Sequence, residues 1–136
     1  MKITIETEVD GPISEVWSAW ITPSDITCWN FASDDWCCPT AELELKPGGK
    51  FSYRMEAKDG STGFNFEGEF KSIEEREKIE FYLSDRRVVE VVFQESENGV
   101  LVRETFETED LHTAEQQRDG WQSILNNFKR HVESKT

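Results

Sequence analysis

Few residues of this chain combine a reactive side chain with a spacing that supports chemistry, and Glu104 is the most informative of them. It alternates with Val102 and Phe106, so a strand through this stretch turns its carboxylate toward the apolar side. A carboxylate placed there costs free energy unless it is paired, hydrated or protonated. Two roles fit it. One is a polar anchor, or a general acid/base, for a bound molecule. The other is a structural carboxylate, bonded to a helix side chain such as Gln117 or sitting at a wet cavity mouth. Tyr53 is the second polar group expected on that side, where its hydroxyl either orients a ligand or finds a backbone partner while the ring packs. Cys28, Cys37 and Cys38 lack the Cys-x-x-Cys spacing of zinc sites, and His112 and His131 lie far away in sequence. No metal is expected. Arg86-Arg87 reads as a surface pair at a sheet corner, with anion binding by Arg87 as the alternative. The sequence has no Gly-rich phosphate loop and no nucleophile elbow, so no cofactor is expected.

The elements that would position these residues can be read from periodicity. Ile3, Ile5, Thr7 and Val9 alternate with polar residues, which predicts a first strand. Asp10-Gly11-Pro12 starts a helix carrying Ile13, Val16, Trp17 and Trp20, and Thr22-Pro23-Ser24-Asp25 starts a second carrying Ile26 and Trp29. Trp17 and Trp20 fall at core spacing. Residues Asn30 to Thr40 read as irregular, which makes Trp36 a candidate lid contact.

From Ala41 to Thr108 the pattern is a meander of strands. A two-residue turn at Asp59-Gly60 places Met55 opposite Phe64 and Tyr53 opposite Phe66. One at Glu75-Arg76 places Phe70 opposite Phe81. A three-residue loop over Asp85, Arg86 and Arg87 places Phe81 opposite Val91 and Ile79 opposite Phe93. A turn at Asn98-Gly99 places Phe93 opposite Glu104 and Val91 opposite Phe106. Every pairing keeps the apolar set on one face and leaves Arg54, Glu67, Glu69 and Glu80 on the other. An antiparallel sheet with one apolar face needs a cover. Trp121, Leu125, Phe128 and Val132 supply it, at helical spacing within a helix from about Thr113 to Glu133.

Composition bounds the function. The 136 residues suit a single domain over 1–136. Lys plus Arg is 15 and Asp plus Glu is 28, a net charge of −13 that excludes non-specific nucleic-acid binding and docking on anionic membranes. Five Trp and nine Phe are enough aromatic residues to build a core. No continuous apolar run begins the chain or is long enough to span a bilayer, and the three cysteines are an odd, clustered set, so a cytoplasmic location is expected.

Local motifs sharpen this picture. Residues 12–20, PISEVWSAW, precede Pro23 and Trp29. Pro-Gly-Gly-Lys-Phe follows at 47–51, then Asn65-Phe66-Glu67-Gly68-Glu69-Phe70, and finally Gly120-Trp121-Gln122-Ser123-Ile124-Leu125-Asn126-Asn127-Phe128. In this order they resemble the SRPBCC superfamily, and within it the family named after the activator of the ninety-kilodalton heat-shock protein's ATPase. The resemblance implies an α+β helix-grip (START-like) fold. In that fold a curved antiparallel sheet of about seven strands wraps around a long C-terminal helix, with two short helices after the first strand. It also implies an apolar cavity between sheet and helix, of the kind that holds lipids, sterols, polyphenols or polyketides in related proteins. The expected occupant is therefore a small apolar or amphipathic ligand. Its expected lining is Trp36, Tyr53, Met55, Phe64, Phe66, Phe81, Val91, Phe93, Glu104, Phe106, Trp121 and Leu125. A cyclase or hydrolase using Glu104 as general acid or base is the second reading, and a chaperone-partner or protein-interaction module is the third.

Overall fold

Strict alternation of apolar and polar residues, punctuated by Gly and Asp, builds most of this molecule as sheet. The computed structural model describes residues 1–135. Among them the chain forms β1 (Lys2–Val9), α1 (Ile13–Ile21), α2 (Pro23–Trp29), β2 (Trp36–Leu43), β3 (Lys50–Ala57), β4 (Gly63–Glu74), β5 (Lys78–Leu83), β6 (Val88–Ser96), β7 (Gly99–Glu107) and α3 (Ala114–Ser134). The strands make one antiparallel sheet in the order β1-β7-β6-β5-β4-β3-β2. Residues 2–9 pair with β7, so the first strand lies at one edge and β2 at the other. The two short helices carry the chain between those edges. The sheet curls around α3, which is the helix-grip arrangement.

Two bulges help the curl, because an extra residue on one strand bends it. In β2 the register shifts between Cys37 and Thr40, where Pro39 has no N–H to give the ladder. In β4 it shifts between Phe70 and Ser72. The Pro47-Gly48-Gly49 turn docks against that second bulge, with the Gly48 N–H donating to the Phe70 carbonyl and the Phe70 N–H donating to the Gly49 carbonyl.

The turns differ in instructive ways from what the sequence predicts. Met55–Phe64 and Tyr53–Phe66 pair as expected, although the segment between their strands holds five residues, 58–62, closed by the Ala57 N–H donating to the Thr62 carbonyl. Phe70–Phe81 also pairs as expected. The turn after β4 has three residues rather than two, and the bulge absorbs the difference. The next loop does contain three residues, but they are Ser84, Asp85 and Arg86. Arg86 takes the left-handed conformation (φ 71°), and the Leu83 N–H donates to the Arg87 carbonyl. That moves the register by two, so Phe81 faces Val89 and Ile79 faces Val91. The last turn lies at Glu97-Asn98, with Gly99 already paired to Ser96. Phe93 therefore faces Val102, Val91 faces Glu104 and Val89 faces Phe106, correcting the expected pairs of Phe93 with Glu104 and Val91 with Phe106. Both shifts are by two residues, so no side chain changes face.

The helix closes the inner side. α3 begins with a capping box: Thr113 Oγ1 accepts from the Gln116 N–H, and the Gln116 side chain accepts from the Thr113 N–H. Leu125, Phe128 and Val132 are buried beneath it. Its flank guards the exposed edge of β1, where Arg118, Gln122 and Lys129 donate to the Thr4, Glu6 and Glu8 carbonyls at 3.4, 3.3 and 2.7 Å. At the other end, Trp20, Trp29 and Phe128 form an aromatic cluster with ring centroids about 5 Å apart. The Trp29 indole N–H ties α2 to α1 through the Ala19 carbonyl at 3.0 Å.

Candidate functional site

Glycine and aromatic pairing shape a hollow between sheet and helix. Gly68 stands on the inner face of β4, and Phe51 of β3 lays its ring against it. A Cβ there would stand 2.0 Å from the Tyr82 carbonyl and 2.9 Å from that ring. Phe51 thereby gathers Tyr53, Phe66, Phe70 and Phe81 around it, with centroids 5.1 to 5.9 Å away. From the helix, Trp121 stacks flat on Phe106 at 4.2 Å and meets the edge of Phe66 at 6.1 Å. These rings hold the helix off the sheet and leave a cavity of about 300 Å³. That lies at the lower end of the roughly 300–1,000 Å³ typical of small-molecule sites.

Of the residues expected to line a ligand site, Tyr53, Met55, Phe64, Phe66, Phe81, Glu104, Trp121 and Leu125 line this cavity. Four expected residues lie elsewhere. Val91 is fully buried within the sheet packing, and Phe106 lies behind Trp121. Phe93 packs edge-on against Trp17 and Trp20 at 5.3 and 5.8 Å. Trp36 lies outside the lining: it starts β2, in a segment the sequence reads as irregular, and its ring lies 6.0 Å from Phe64. Phe64 itself is 48% exposed and marks the opening. The sequence reading missed Asn30 at one wall and Leu43 and Leu45 at another, while Trp20 and Trp29, weighed in the sequence between core and pocket mouth, border the cavity. The two leucines carry a readable signal, since they continue the alternation of β2. Asn30 carries none.

Glu104 reaches the cavity from β7. Ile5 and Val91 flank it on the neighbouring strands, and it is 6% exposed. No hydrogen bond reaches its carboxyl among the described residues. Gln117, the expected partner, is committed elsewhere: its amide N–H groups donate to the Glu109, His112 and Thr113 carbonyls, and its oxygen accepts from the Glu109 N–H. Burial with no opposite charge nearby pushes the Glu104 carboxyl up to about 8, so at neutral pH it is mostly the uncharged acid. Burial likewise raises the Tyr53 phenol, keeping its O–H intact, and that hydroxyl has no hydrogen-bond partner among the described residues. Asn30 is a third polar wall residue. Its Nδ2 is enclosed with only the buried Cys38 thiol beside it, a weak acceptor that burial raises and this amide partly lowers.

A loop and a strand end finish the wall. Arg87 donates through Nε to Asp85 and through Nη1 to the Glu107 carbonyl, at 2.7 and 3.1 Å, and its side chain borders the cavity rather than lying on a simple surface corner. Glu109 accepts from the His112 backbone N–H and pairs with its ring. The three cysteines are free thiols, and among the described residues no cluster of His, Cys, Asp and Glu is arranged to hold a metal ion. Among those residues no helix is long and apolar enough to cross a membrane.

Comparison with known proteins places this geometry in a family. A family model described as Activator of Hsp90 ATPase homolog 1-like protein matches residues 10–133. The solution structure of an AHSA1-like protein from Aeromonas hydrophila is 46% identical, with 98% of this chain and 93% of that one covered and a TM-score of 0.94. A solution structure from Cytophaga hutchinsonii is 39% identical over 98% and 93% of the two chains, with a TM-score of 0.84. A crystal structure from Nitrosomonas europaea shares only 16% identity yet has a TM-score of 0.81 over 99% and 96%, a likeness of fold alone. No curated protein matches this chain.

Proposed function

Because the chain belongs to the family of Activator of Hsp90 ATPase homolog 1-like proteins, whose fold holds apolar ligands, we propose that it binds a small apolar or amphipathic molecule between its sheet and α3. One observation carries the reading. The cavity is walled by aromatic and aliphatic side chains and contains a carboxyl with no partner among the described residues. A buried carboxyl that nothing bonds costs stability, and such a cost is commonly kept where a ligand supplies the missing partner. The volume suits a molecule of one or two rings or a short chain. A whole sterol would need the helix to lift.

The same reading assigns roles to the walls. Phe66 and Trp121 supply apolar contact from opposite sides, and Glu104 and Tyr53 orient the polar part of the ligand. Phe64 stands where the ligand enters.

A thermal-shift screen against short fatty acids, sterols, polyphenols and aromatic ketones tests this directly. A ligand present at a hundred times its dissociation constant stabilises the fold by about 2.7 kcal/mol. The expected result is stabilisation within one chemical class, weakened about tenfold in affinity by Phe66→Ala or Trp121→Ala in variants that remain folded. Hits that bind those variants as tightly as the parent would place the ligand outside this cavity.

A further inference from the structure

The polar groups of the cavity are unbalanced. Glu104 as the uncharged acid offers an O–H and Tyr53 offers a second, and among the described residues neither meets an acceptor, while Asn30 adds an N–H pair in the wall with only the weakly accepting Cys38 thiol beside it. The neutral carboxyl does keep a carbonyl oxygen, but among the described residues neither hydroxyl hydrogen has a partner. We propose that the cavity selects uncharged ligands bearing an acceptor oxygen, such as a ketone, ester or ether, and that Glu104 binds that oxygen as the protonated acid and lets the ligand go when it ionises. This rests on the reading that the cavity holds a small apolar molecule, and narrows it to a class.

The surroundings of Glu104 favour the neutral form. On its own strand the inward neighbours are Val102 and Phe106, and across the ladders they are Ile5 and Val91. The α3 residues that line the cavity are Gln117, Trp121, Ile124 and Leu125, none of them charged. The ionisable groups at its walls are Arg87, Glu109 and His112. Arg87 is bonded to Asp85 and the Glu107 carbonyl, and Glu109 to His112. Tyr53 is the other titratable group, and it stays protonated. Burial is accordingly the one cause of the raised Glu104 carboxyl. An anionic ligand would have no free cation to meet here. An ammonium would have to surrender its hydration and also force the acid to ionise. A carbonyl oxygen needs neither, and accepts the O–H already present.

Four naphthalenes of nearly equal shape provide the test: 2-acetylnaphthalene, 2-isopropenylnaphthalene, 2-naphthoate and 1-(2-naphthyl)ethylamine. Their affinities are measured by NMR titration between pH 6 and pH 9. At pH 6 the ketone is expected to bind about tenfold more tightly than the hydrocarbon, the worth of one hydrogen bond of about 1.4 kcal/mol. Its affinity should fall about tenfold by pH 9 as Glu104 ionises, while the hydrocarbon changes little. Glu104→Gln, which keeps an N–H donor, should retain the ketone preference and lose its pH dependence. Glu104→Leu should abolish the preference and still bind the hydrocarbon. Equal binding of ketone and hydrocarbon by the unaltered protein overturns the selectivity while leaving the cavity reading intact. An amine that binds best, with affinity rising toward pH 8, overturns it in favour of an ion pair. Absence of binding by all four removes the cavity reading and this inference with it.

Discussion

Glu104 shows how one side chain can work against the stability of a fold. Its ordinary carboxyl value of 4.5 applies in the unfolded chain, whereas burial lifts it to about 8 in the folded one. Between those values the folded state holds a proton that the unfolded state has released, so stability declines as pH rises from about 4.5 to about 8. Glu104→Leu removes this dependence. At pH 7 it should stabilise the protein by about 3 kcal/mol, with the gain shrinking toward zero near pH 4.5. Urea denaturation of both proteins across that range measures it, and a pH-independent difference would contradict a neutral acid in the folded state. The inward orientation of Glu104 could be read from alternation along one strand. Its lack of a partner could not. Gln117, near enough along the chain to be a reasonable partner, instead anchors the 109–113 backbone, and only the path of that loop decides this.

Each element owes its boundaries to local signals that can be tested one at a time. Thr113 and Gln116 satisfy the first orphan groups of α3 reciprocally. Thr113→Ala should therefore cost about 1 kcal/mol of unfolding free energy, read as a lower denaturant midpoint, and increase hydrogen exchange in the first turn of the helix. Gly68 makes a sharper demand. Any side chain there meets a backbone carbonyl and the Phe51 ring at once. Gly68→Ala should destabilise by roughly 2–3 kcal/mol, since overpacking moves both strands. A loss below 0.5 kcal/mol would show that β4 and β5 can separate easily. The hairpins show where local signals stop. Asp-Gly, Glu-Arg and Asn-Gly each located a turn, but loop length and starting residue depended on which residue took the left-handed conformation. Arg76 and Arg86 do so here, and their type does not advertise it.

At the scale of the molecule, α3 is held against the rest by contacts distant in sequence. Asp25 of α2 accepts from His131 Nε2 at 2.8 Å and from Lys135 Nζ at 2.6 Å. Burial alone would raise the Asp25 carboxyl, but these two bonds outweigh it and hold it below its usual value of 3.8. A lowered carboxyl contributes stability above its unfolded value, and the contribution is lost as pH falls through the folded one. Asp25→Asn should thus cost about 1 kcal/mol at neutral pH and progressively less below pH 4, as followed by thermal unfolding. A constant difference down to pH 2 would point to packing rather than charge. This tie fixes one end of the helix, and the Trp121–Phe106 stack fixes its middle. Together they set the height of the cavity roof.

The sequence by itself determined the order of elements, the face each strand turns inward and the character of the cavity walls. Those properties follow from periods of 2 and 3.6 residues and survive a register error of two, which moves a side chain along a strand without turning it over. Tertiary structure alone decided which inward residues line the cavity and which fill the core. Val91, Phe93 and Phe106 point the same way as Phe66 and Phe81, yet they are buried under aromatic or aliphatic neighbours. It also decided that Trp36 belongs to an edge strand and that Asn30 reaches the wall. Inward orientation is a property of one strand. Enclosed space is a property of how closely a curved sheet and a helix approach, and that distance is set by pairs of rings far apart in the chain.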